Sequence, residues 1–135
     1  MRAKMLLIFA LSLLSLHCKH ALSLDEHDKM VFRLVAYTHL SEQDRQSLSS
    51  DWRKARVASC SYIQESSVHL CVQNPDKRDF TYDFTFVTAS PSIDLKANQA
   101  LVTVLFNTIH DALLGPIIVV IDPEAKVVVG YVLRM

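Results

Sequence analysis

The chain has 135 residues, with 14 basic and 14 acidic side chains, 50% hydrophobic residues, three cysteines and only two glycines. That length suits one domain with a real core, and the even charge balance argues against a dedicated nucleic-acid binder. Two glycines leave no room for a dinucleotide fingerprint or a Walker phosphate loop.

Residues 1–23 have the three-part build of a secretory signal peptide. Arg2 and Lys4 give a positive start, Met5 to Leu16 is apolar apart from Ser12 and Ser15, and Ala21-Leu22-Ser23 offers small residues before a cut at Leu24. The apolar run is shorter than the about 20 residues a spanning helix needs. Cleavage there removes Arg2, Lys4 and Lys19, leaving 112 residues with 11 basic and 14 acidic side chains. Residues 24–135 are expected to form a single domain with no membrane span, exported to a periplasm or to the extracellular space.

Asp25, Glu26 and Asp28 precede Met30, Val31, Leu34 and Val35, which predicts a helix over about 26–39 with acids in its first turn. Ser41 with Asp44 three residues on resembles a capping box. It opens a second predicted helix in which Leu48, Trp52 and Ala55 share a face. Three cations follow Asp51 beside Trp52 (Arg53, Lys54 and Arg56), a solvated helix face or an anion contact.

From Ala55 to Gln73 the pattern switches to period two. A turn near residues 64–67 sets Ile63 opposite Val68, Tyr62 opposite His69 and Cys60 opposite Cys71. Val57, Ile63, Val68, Leu70 and Val72 then share one face, and Cys60, Tyr62, His69 and Cys71 the other. In an oxidising compartment Cys60 and Cys71 are expected to form a disulfide.

Phe80, Tyr82, Phe84 and Phe86 alternate with more polar residues in a third predicted strand. Asp94 is placed as the cap of a long helix running to Leu114, stopped by Gly115 and Pro116, with Lys96, Gln99, Thr103, Asn107 and His110 as its polar stripe. Ile117–Ile121 and Val127–Leu133 close the chain as a hairpin. Being apolar on both faces, Ile117–Ile121 reads as a central strand covered by helix. The predicted class is α+β: N-terminal helices and one long helix in the C-terminal half, packed on an antiparallel sheet of about five strands in the order α-α-β-β-β-α-β-β.

No histidine has metal-ligand spacing and no nucleophile elbow occurs, so neither metal nor cofactor is expected. His69, Asp83 and His110 are the weak catalytic candidates, for a small hydrolase or isomerase. Phe80, Tyr82, Phe84 and Phe86 are core, or else a face for a small apolar ligand. With no coherent active site to assemble, the leading expectation is a non-catalytic binding or accessory domain acting through contact with a protein partner. Carriage of an apolar ligand is the alternative.

Overall fold

The computed structural model describes residues 22–72 and 83–134. Phe80, Tyr82 and all but the end of the predicted signal segment lie outside these.

Helix α1 (Glu26–His39) forms where its capping chemistry requires. The Asp25 carboxylate accepts from the Asp28 N–H at 2.7 Å, and Glu26 and Asp28 sit in the positive first turn. At the other end Arg45 donates to the Tyr37 and Thr38 carbonyls at 3.1 and 2.9 Å, satisfying acceptors that the helix leaves open. Phe32 and Ala36, with Leu40 just beyond, are the buried stripe at i, i+4, i+8, while Met30 and Leu34 are largely exposed. Helix α2 (Glu42–Ser47) starts at the predicted cap, Ser41 Oγ accepting from Asp44 N–H at 3.1 Å. It ends before Leu48, shorter than predicted, because Leu48 is drawn into a bridge with Thr108. A 3₁₀ turn at Trp52–Lys54 follows, with Trp52 stacked on Tyr37.

Six antiparallel strands close into a barrel: β1 (Arg56–Glu65), β2 (Val68–Val72), β3 (Phe84–Thr88), β4 (Ala100–Phe106), β5 (Ile117–Asp122) and β6 (Val127–Tyr131), arranged β1-β2-β3-β6-β5-β4 and back to β1. Alternation along each strand makes two apolar layers. Ala58, Cys60, Tyr62, Cys71, Phe84, Phe86, Leu101, Leu105, Ile118, Val120 and Val129 fill the interior. Val57, Val102, Val104, Phe106, Ile117, Val119 and Ile121 point outward and are covered by Phe32 and Ala36 of α1 and by Leu40 just after it. Closure leaves no long open edge, and α1 buries the most apolar stretch of the outer wall.

The sheet thus has six strands rather than five, and the long helix predicted over 94–114 is absent. Its centre is β4, and only Asp111–Leu114 is helical (α3). Leu101 and Leu105 face the barrel interior while Val102, Val104 and Phe106 face α1. A strand buried on both faces is a continuous apolar run, which a helical stripe can mimic. The β-branched trio Val102-Thr103-Val104 favours the strand. Thr103, assigned to a solvated polar stripe, is buried and donates to the Ala58 carbonyl at 3.2 Å. Ile117–Asp122 is the helix-covered central strand that its composition predicts, although α1 supplies the cover.

The first hairpin has the predicted faces but a different register. Tyr62 lies opposite Cys71 and Gln64 opposite His69, with Ser66 and Ser67 at φ 47° and 68° forming a two-residue turn. The shift is by two residues, so every side chain keeps its face. Cys60 and Cys71 are diagonal rather than directly opposed, 5.5 Å apart at Cα, and they form the disulfide.

Candidate functional site

His69 stands at one mouth of the barrel, opposite Phe86 on β3 and one position along from the turn-side partner of β1. The Tyr62 hydroxyl and His69 Nδ1 are 2.7 Å apart. The His69 ring lies against both Tyr62 and Phe86, with centroids at 5.8 and 5.6 Å. Tyr62 is only 2% exposed, so its hydroxyl reaches the half-buried imidazole instead of water. Burial, with a smaller contribution from the negative charge of Asp94, pushes the Tyr62 phenol above its ordinary value.

That shift has a consequence for stability. A phenol held neutral by the fold stabilises the native state fully below the unfolded-state value of 10.0, and this contribution is lost as pH rises through the folded-state value. The urea midpoint is therefore expected to fall as pH rises above about 10, and Tyr62→Phe is expected to show a shallower fall. Equal slopes in the two proteins would remove Tyr62 as the cause.

The aromatic row lies inward where it is described. Phe84 and Phe86, each 4% exposed, are packed into the barrel. Beside Phe86 a cleft of about 370 Å³ opens to the surface, lined by Val68, His69, Thr85, Phe86, Val132 and Leu133 among others.

His110 belongs to a different place. It lies in the loop before α3, exposed, in a separate cleft of about 380 Å³ that shares no residue with the one at His69. Asp83 immediately precedes β3, three residues from Phe86, or roughly 10 Å along a strand. The three weak catalytic candidates are thus not gathered into one constellation. Among the described residues no three His, Cys, Asp or Glu side chains assemble as metal ligands. The cation cluster is partly self-contained: Arg53 folds over the Trp52 ring at 4.7 Å and pairs with Asp51 at 3.3 Å. The Arg53 backbone N–H, more than the charges beside it, holds the Asp51 carboxyl below its ordinary value.

The loop carrying His110 is tightly braced. Asp111 Oδ1 accepts from Thr108 N–H at 2.9 Å and from Thr108 Oγ1 at 2.8 Å. Thr108 Oγ1 in turn accepts from Arg134 Nη2 at 2.8 Å, while Arg134 Nε donates to the Gly115 carbonyl at 3.0 Å. Backbone bonds from Ser49 to Asn107 and from Ile109 to Ser47 fasten the loop to the end of α2. Asp111→Ala, which strands two donors of the buried Thr108, is expected to lose about 1–2 kcal/mol in urea unfolding and to speed amide exchange at Ile109 and Leu113. An unchanged exchange pattern would show that the loop holds its shape without this carboxylate.

On this braced loop three large aliphatic side chains face water: Ile109 at 68% exposed, Leu113 at 84% and Leu114 at 42%. Reading 94–114 as one long helix hid them by placing Ile109 on a core face. Gly115 at φ 74° is the local signal of the short helix's end, whereas its start at His110 carries no side-chain cap. No helix among the described residues is long and apolar enough to cross a membrane. No protein-family model matches the chain, and neither the curated proteins nor the solved structures contain a match to it.

Proposed function

We propose that the chain is a small exported, non-catalytic binding domain that acts through contact with a protein partner, and that residues 109–114 are its contact tip. The observation that carries this reading is the exposure of Ile109, Leu113 and Leu114 on a loop fixed by Thr108, Asp111 and Arg134. Large aliphatic side chains in a mobile loop can fold back from water. Held out by a hydrogen-bonded frame, they keep an apolar patch presented at a standing cost in solvation, as contact surfaces do.

Export is supported by the charged start and apolar run of residues 5–16, by the small residues at 21–23, and by the Cys60–Cys71 disulfide, which persists in oxidising compartments. A cut after Ser23 keeps Leu24 at the start of a single mature domain and removes Leu22; both pack against the layer beneath α1.

The test is a photo-crosslinking residue at position 113, compared with the same residue at position 124, on the β5–β6 turn at the far end of β5. The expected result is a discrete protein adduct at 113 that is absent at 124 and lost in Ile109→Asp. Because these side chains are exposed, the Asp variant is expected to stay within about 0.5 kcal/mol of the wild type. The same adducts at both positions would overturn the reading. A second reading, carriage of a small apolar ligand, is favoured by the cleft beside Phe86 and rests on different residues.

A further inference from the structure

The barrel closes unevenly. β1–β4 and β4–β5 pair over many residues, whereas among the described residues β3 meets β6 at Val87↔Tyr131 and Thr88↔Gly130, with Ala89 N–H donating to the Val129 carbonyl just beyond. Past Tyr131 the chain stays alongside β5, the Val132 N–H donating to the Ile118 carbonyl at 3.0 Å, and no further pair with β3 forms among the described residues. Thr85 and Phe86 are therefore left without a strand neighbour on that side among the described residues. The cleft of about 370 Å³ occupies the gap, between the edge of β3 and the side chains of Val132 and Leu133.

This volume lies at the small end of ligand sites, and its mixture of an apolar wall with a few converging polar groups is what such sites have in common. The polar centre is His69. In the tautomer in which the buried Tyr62 hydroxyl donates to His69 Nδ1, the ring carries its single N–H on Nε2. The ring is thereby oriented, and it offers a donor rather than an acceptor. Phe86, buried in the interior, backs the His69 ring in a tilted pair and helps to hold it at the cleft.

We propose that the β3–β6 seam is a binding site for a small, flat, mainly apolar molecule bearing one carbonyl or carboxylate oxygen, which accepts from His69 Nε2 while its ring lies against Val132 and Leu133. This rests on the second reading above, ligand carriage, and gives its ligand a chemistry. It is independent of the tip at 109–114. Tyr62 is a positioning residue, acting on the ligand only through His69.

The test uses two probes of similar shape, 2-naphthoate and 2-methylnaphthalene, titrated into the full chain with its disulfide intact and followed by backbone and methyl NMR. The expected result is saturable shifts at Val68, His69, Phe86 and Val132 with naphthoate. In His69→Gln, naphthoate is expected to bind about tenfold more weakly, with the hydrocarbon little changed. Val68→Asp, at an exposed position on the rim, provides a check should His69→Gln disturb the fold. Its like charge is expected to weaken naphthoate selectively. Equal binding of both probes at the seam, insensitive to His69, would overturn the oxygen-acceptor assignment while leaving apolar carriage standing. Absence of saturable shifts at the seam with either probe would overturn both.

Discussion

Gly130→Ala is expected to lose about 3 kcal/mol of stability, a large effect for the addition of one methyl group. Gly130 lies in β6 between Thr88 of β3 and Val120 of β5. A Cβ there would stand 2.5 Å from the Phe86 ring carbon Cδ2 and 2.5 Å from the Val87 carbonyl oxygen. Neither can yield cheaply. The Phe86 ring is packed among interior side chains, and the carbonyl belongs to the strand that closes the barrel. The methyl group must therefore push β3 and β6 apart at the seam where, among the described residues, they share two residue pairs. Urea unfolding measures the loss. Adding Phe86→Leu should return part of it, since the smaller side chain relieves one contact and leaves the carbonyl clash. A Gly130→Ala protein within about 0.5 kcal/mol of the wild type would show that the seam separates without cost.

Breaking the Cys60–Cys71 bond is expected to have an effect of comparable size. The bridge joins residues 11 apart in sequence across the first hairpin, and both cysteines are buried inside the barrel. Chain-entropy reasoning assigns a loop of this length about 3 kcal/mol, and replacing both cysteines by alanine adds a smaller packing loss. The measurement is urea unfolding of the oxidised protein against the Cys60→Ala/Cys71→Ala double variant. Intact mass with and without reductant shows whether the wild type gains two hydrogens. Because the sulfurs are enclosed, a thiol reductant should act slowly in buffer and quickly in urea, reduction following the opening of the barrel. Equally fast reduction in both would mean that the hairpin opens on its own.

Both effects fall on features that were partly legible in the residues. A glycine inside a strand, as Gly130 is, marks a bulge or a close backbone approach. The structure has a register shift between Val120 and Ile121 opposite it, and the approach of Phe86. Opposed period-two runs implied the cysteine pair, although the turn residues moved the register by two. The candidate site was less legible. His69 and Tyr62 were placed on one face of one hairpin, but their hydrogen bond and the cleft beside them depend on where β3 and the segment after β6 arrive.

What the sequence by itself determined was therefore local. Asp25 and Ser41 start helices and Gly115 ends one, Asp122–Lys126 turns a hairpin, and period two assigns alternate side chains to opposite faces. Each follows from hydrogen bonds or backbone angles within a few residues. The tertiary structure decided the rest. Residues 100–106 are a strand because Leu101 and Leu105 have the barrel interior on one side while Val102 and Val104 have α1 on the other. No periodicity within those residues can say that both sides will be covered. Closure decided that the face bearing Cys60, Tyr62 and Cys71 turns inward while Ile63 and Val68 remain near water. Burial is a property of the neighbours a residue acquires, and those neighbours come from distant parts of the chain.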